Sequence, residues 1–121
     1  MISDINLILV LTPKLEPPMD AQMEAKFTEI LRAELAIINV HLASAALSPD
    51  RHVIKISSPP EVSPLAAARL VMEKVTRRFI HCFDSLEGWG NIYHDRVFIK
   101  SGEEISGQQL DDLANFSLSD I

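Results

Sequence analysis

The chain has a single cysteine, Cys82, so it can form no internal disulfide and build no cysteine-based zinc cluster. No stretch approaches the roughly 18 consecutive apolar residues of a membrane span. The opening Met1-Ile-Ser-Asp-Ile-Asn6 lacks the basic region that begins a secretory signal. Nothing matches a phosphate-binding glycine loop or a Ser/His/Asp set. There is one tyrosine, Tyr93, and one tryptophan, Trp89. These absences exclude the disulfide-stapled and membrane-spanning classes and point to a cytoplasmic protein.

An apolar content of 47% over 121 residues is enough to bury a core without staples, and the length predicts one domain over 1–121. The net charge of −6 argues against a nucleic-acid partner, but its distribution does not. Residues 1–50 carry 3 basic and 7 acidic side chains, residues 51–100 carry 8 and 5, and residues 101–121 carry none and 5. A positive middle segment could hold a phosphate backbone. Ordinary solvated charge explains the same numbers.

The order of elements follows from periodicity. Ile5 to Thr12 is apolar on both faces and ends at Pro13, which predicts a buried central strand. Asp20 is placed to cap a helix whose apolar residues Met23, Phe27, Ile30 and Leu31 recur at helical spacing, ending near Ala36. Residues 37–47 alternate around Val40 and Leu42 and are assigned to a strand, although the alanines would also allow the helix to continue. Ser48-Pro-Asp-Arg51 is a tight turn into a third strand, His52 to Ser58. Ser63-Pro64 starts a second helix with Leu65, Ala68, Met72, Val75, Phe79 and Cys82 on its core face. Gly88-Trp-Gly90 breaks the chain before a fourth strand from Tyr93 to Lys100. Ser106 then caps an acidic helix to about Phe116. The order βαββαβ is the α+β ferredoxin-like pattern, an antiparallel sheet of order 4-1-3-2 with helices on one face, plus a C-terminal helix.

The segment Ser48-Pro-Asp-Arg-His-Val-Ile-Lys-Ile-Ser-Ser-Pro-Pro60 is the most telling. Its frame resembles the catalytic strand of the single-tyrosine HUH transposases, which cut and rejoin single-stranded DNA for small insertion sequences of the IS-two-hundred type. Leu11-Thr-Pro-Lys14, Thr76-Arg-Arg78, Trp89 and Val97-Phe-Ile-Lys-Ser101 resemble further motifs of that family, in order and at similar spacing. In the family this strand carries two histidines on one face, two residues apart, and they bind a divalent metal. Aligned on Pro59-Pro60, those positions fall on Arg51 and Val53, and His52 lies between them on the opposite face.

The resemblance also implies a nucleophilic tyrosine on the last helix, followed four residues later by a metal-binding glutamine. The register from Ser101 puts Leu113 and Ser117 there; a three-residue slip gives Phe116 and Asp120. Neither register supplies a phenol, so no covalent phosphotyrosine can form at that position. A divalent metal is implied only if the site is intact, and no other cofactor is expected.

His52 remains the one weak catalytic candidate, and its alternative is a strand-edge histidine beside a turn. His94 and Asp95 beside Tyr93 are either pocket residues or plain loop surface. The nucleic-acid candidates are Arg69, Lys74, Arg77, Arg78, Lys55 and Lys100 for phosphates and Trp89 for stacking. A helix face laced by Arg69–Glu73–Arg77 pairs would explain three of these residues without DNA. The expected function is a transposase-like domain that binds single-stranded or hairpin DNA as a homodimer without cutting it. The alternative is a ferredoxin-like interaction or regulatory module that binds no nucleic acid. A third reading is a metal-dependent nuclease using His52, His94 and Asp95.

Overall fold

The structure, a computed structural model, describes residues 4–102. Its elements are β1 (Ile5–Pro13), α1 (Ala21–Ile37), β2 (His41–Leu47), β3 (His52–Ser58), α2 (Pro64–Leu70), a π-helical turn (Val71–Val75), α3 (Thr76–His81) and β4 (Tyr93–Ser101). The sheet is antiparallel throughout, in the order β2-β3-β1-β4. This is the ferredoxin-like arrangement expected from the sequence. The predicted C-terminal helix and both registers of its nucleophile position lie outside the described residues.

β1 is central because both its faces are apolar. Leu7, Leu9 and Leu11 join the main core with the helices, while Ile8 and Val10 form a small second cluster with Val53 and Phe98. In β3, Ile54 and Ile56 face the core, and Val53, Lys55 and Ser57 are half-buried on the opposite side. Phe27 of α1 meets Phe79 edge-on, with ring centroids 5.3 Å apart, and lies at 5.8 Å from the His52 ring. Truncating a fully buried phenylalanine of this kind costs about 3–5 kcal/mol.

The caps are local chemistry. The Asp20 carboxylate accepts from the Met23 N–H at 2.8 Å, and the Ser63 hydroxyl accepts from the Ala66 N–H at 2.9 Å. Two expectations need correction. The strand predicted over 37–47 begins only at His41, because α1 runs to Ile37 and closes in a Schellman turn. There Asn39 takes φ +62° and the Val40 N–H donates to the Leu35 carbonyl at 2.9 Å.

Cys82 is exposed and not part of the core. The π turn widens the helix and rotates the buried stripe, so Thr76 and Ile80 join it, and α3 ends before the stripe reaches residue 82. In the turn the Val71 carbonyl accepts from the Thr76 N–H, and side chains add to the wider ring. The Thr76 hydroxyl donates to the same carbonyl at 3.0 Å, and the Asn91 amide donates to the Met72 carbonyl at 3.2 Å. Among the described residues no helix is long and apolar enough to cross a membrane.

Candidate nucleic-acid interface

The turn before β3 fixes what each residue of the key strand can do. The Ser48 hydroxyl donates to the Arg51 carbonyl at 2.7 Å and its backbone N–H donates there at 3.1 Å, so β3 starts in a set register. From that start His52 points to the helix side. Val53 pairs with Val10 and lies on the face away from the helices. The two positions that would carry the metal-binding histidines hold a cation and an aliphatic side chain. Their donor chemistry does not fit a divalent metal, and among the described residues no three His, Cys, Asp or Glu side chains converge on one.

His52 is not the strand-edge residue of the bland expectation. β3 is an inner strand, and the His52 ring is 2% exposed, hydrogen-bonded through Nδ1 to the Tyr93 hydroxyl at 2.6 Å. Burial lowers its pKa to about 4, so the ring is neutral. Burial also pushes the Tyr93 phenol well above its ordinary value. A tyrosine beside a histidine has the outline of a nucleophile and its base. Here the pair is buried between Phe27 and the sheet. His94 and Asp95 are exposed and form no cluster with His52.

The seven nucleic-acid candidates fall on separate surfaces. Arg77 and Trp89 line one open groove of about 480 Å³ together with His81, Phe83, Asp84 and Glu87. The sequence separates these two by twelve positions. The Asp84–Leu86 turn folds the chain back beneath α3, and Gly88, at φ +92°, makes a bend that a side chain would strain. Trp89 is half-buried, anchored on the core with one side open, while Arg77 and His81 are exposed. The expected Arg69–Glu73–Arg77 lacing does not form among the described residues, so Arg77 is not held in an ion pair. Arg69 and Lys74 are exposed on the same helical rod.

Arg78 differs from its neighbour. Its Nη1 donates to Glu34 Oε1 at 2.8 Å, tying α3 to α1. Glu34 is 5% exposed and was not singled out from the sequence, where it reads as one more charge on an amphipathic helix. The signal would have been its position four residues after Ile30 and three after Leu31, on the core stripe. Lys55 and Lys100 lie elsewhere, on the sheet face opposite the helices, flanking Ile8 in register.

No family model matches the chain, and no curated protein matches it. Solved structures do. A candidate transposase of Deinococcus radiodurans R1 superposes with a TM-score of 0.77 at 14% identity, over 93% of this chain and 89% of that one. A REP-associated tyrosine transposase bound to a REP hairpin gives 0.61 at 8% identity, over 95% of this chain and 66% of that one. The chain has a transposase-like fold.

M. kandleri SerRS, solved with A. aeolicus tRNASec, also matches, with a TM-score of 0.58 at 14% identity over 89% of this chain and 22% of that one. A fold shared this widely does not fix a function. Within the transposase-like fold, Arg51, Val53 and the inward His52 are where this chain departs from the strand that the sequence resembles.

Proposed function

We propose that this is a transposase-like DNA-binding domain that holds single-stranded or hairpin DNA without cutting it. The observation that carries this is the groove joining Arg77 to Trp89. A guanidinium for a phosphate and an indole face for an unpaired base are the two contacts that single-strand binding needs. Lys74 and Arg69 extend the positive side along the rod. The hairpin held by the REP-associated transposase makes the same class of ligand the first to try. Loss of cutting follows from the chemistry at Arg51, Val53 and the sealed Tyr93. The two sheet edges, β2 and β4, are where a second copy would add its own sheet, and we include a homodimer in the proposal.

One observation favours the interaction module instead. Asp84 and Glu87 line the same groove, and their charge opposes a phosphate. Fluorescence anisotropy with labelled hairpin and single-stranded oligonucleotides at low salt separates the two readings. Salt-sensitive binding that Arg77→Ala weakens supports the DNA reading. No binding at low ionic strength assigns the groove to another partner.

A further inference from the structure

We propose that the cleft beside His52, at the end of the sheet, is a binding site for a neutral hydroxyl group carried on a short aliphatic stem. This goes beyond DNA binding and does not depend on it.

The first observation is the cleft itself. The loop after β1 and the turn before β3 meet at the start of α1 and leave a space of about 40 Å³ between them. A water needs about 10–15 Å³, so the space takes about three waters, or a group of three or four heavy atoms. Pro13, Leu15, Pro18, Met19, Leu47 and Pro49 give it apolar walls that suit an aliphatic stem.

The second observation is a buried nitrogen that opens into it. His52 is 2% exposed and lines the cleft. Its Nδ1 lies against the Tyr93 hydroxyl. Among the described residues that hydroxyl has no other partner, so its hydrogen goes to Nδ1. Burial keeps the ring neutral, with a pKa of about 4, and a neutral ring that accepts at Nδ1 carries its own hydrogen on Nε2. Nε2 makes no hydrogen bond among the described residues, where the one fully buried side-chain atom left unpaired is Glu34 Oε2. Nε2 is therefore reachable, and the cleft that His52 lines is where it is reached.

The remaining polar groups define the ligand. The three prolines have no N–H to offer. The N–H groups of Glu24 and Ser48 go to the Asp20 and Arg51 carbonyls at 2.9 and 3.1 Å, and the Ser48 hydroxyl goes to the Arg51 carbonyl at 2.7 Å. The Nε2–H of His52 is thus the side-chain donor of the cleft, and the half-buried Glu24 carboxylate is its charged acceptor.

Three classes of small ligand can be compared on these two groups. A carboxylate accepts from Nε2–H but meets the charge of Glu24. An ammonium pairs with Glu24 but has no lone pair, so it leaves Nε2–H facing another donor. A hydroxyl does both, accepting from Nε2–H and donating to Glu24. The same chemistry comes from a free short-chain alcohol or from a threonine side chain on a partner chain.

NMR of ¹⁵N-histidine-labelled protein at pH 7 tests this, because long-range ¹H–¹⁵N correlation reads both ring nitrogens. His52 should be the Nε2–H tautomer. Millimolar 2-propanol should shift its Nε2 saturably and leave the exposed His41, His81 and His94 unmoved. Isopropylammonium and acetate, of equal heavy-atom count, should shift it several-fold less. Glu24→Gln removes the opposing charge, so acetate should then shift Nε2 as strongly as 2-propanol does. N-acetylthreonine methylamide separates the two sources. A saturable shift of Nε2 assigns the site to a threonine side chain, and no shift beside a retained 2-propanol response assigns it to a free alcohol. An Nδ1–H tautomer, no saturable response to 2-propanol, or equal responses to alcohol, ammonium and carboxylate in the unmodified protein would overturn the proposal.

Discussion

Nδ1 of His52 and the phenolic oxygen of Tyr93 are 2.6 Å apart, 41 positions apart in sequence, and both are buried. The bond ties β3 to β4 across β1, on the helix side of the sheet. A residue that the sequence offers as a metal ligand and the chain's sole phenol thus satisfy each other in the core. The pair is a structural element of the core whose protonation state matters.

Acid should therefore destabilise the fold through His52. Its folded pKa of about 4 lies below the ordinary 6.5 of the unfolded chain, so the unfolded state takes up the proton first. The stabilisation is complete above pH 6.5 and is lost as pH falls from 6.5 towards 4, up to about 3 kcal/mol in total. His52→Gln keeps a polar partner for the phenol and does not titrate. Thermal melts of the two proteins between pH 7 and 4 should diverge in slope. Parallel curves would mean that His52 is not buried as a neutral ring.

Arg77 and Arg78 should separate cleanly, although the sequence presents them as a pair. Arg78→Met leaves the Glu34 carboxylate buried without its donor, which should cost about 1–3 kcal/mol. Arg77→Met, at an exposed position, should change stability by less than about 0.5 kcal/mol. On a single strand, losing the Arg77 contact should lower the salt slope by about 0.7. Denaturant melts and salt titrations of both variants check this. Equal losses of stability would contradict the Glu34 pair.

The comparison of these two arginines shows what the sequence could reveal. Periodicity and caps were enough for the order of elements, the central β1 and the limits of β3, because each rests on neighbouring residues; the sheet order came from the ferredoxin-like pattern that this order matches. That Val53 and His52 face opposite sides was also legible from strand alternation, but the sequence reading put His52 at a strand edge and not in the core. What escaped was set by contacts between distant segments. Glu34 is buried because Arg78 comes from 44 positions away, and Tyr93 meets His52 only through the register of β4. The π turn escaped too. Nothing in Val71-Met-Glu-Lys-Val75 breaks helical periodicity, and the turn is held by Thr76 and Asn91.

No covalent adduct should form between the protein and hairpin DNA with magnesium or manganese present. Tyr93 is enclosed, and the strand positions that would hold a metal are Arg51 and Val53. Labelled hairpin DNA incubated with the protein and run on a denaturing gel gives the answer. A shifted band that disappears in Tyr93→Phe would reverse the assignment of the domain as non-cutting.

A homodimer should be seen in solution. Static light scattering at micromolar protein should return about twice the 13.5 kDa chain mass. A chain-mass value across a tenfold concentration range would remove the edge-to-edge assembly from the proposal and leave the groove unaffected.

Trp89 is the chain's only tryptophan, so its emission reports on the groove without interference. If an unpaired base stacks on the indole, adding a single-stranded oligonucleotide at low salt should quench that emission. Raising the salt should restore it as phosphate contacts are lost. Trp89→Phe should retain most of the affinity, since a phenyl ring still offers a stacking face. Trp89→Ala should lose about 1–3 kcal/mol of binding. Arg77→Ala should weaken the same quench without abolishing it, because the positive rod still carries Lys74 and Arg69. Duplex DNA without unpaired bases should quench least, since its bases are already stacked on one another. An emission unchanged by any oligonucleotide at low salt would remove nucleic acid from this groove. Its aromatic floor and its mixed rim of Arg77, His81, Asp84 and Glu87 would then belong to a protein partner.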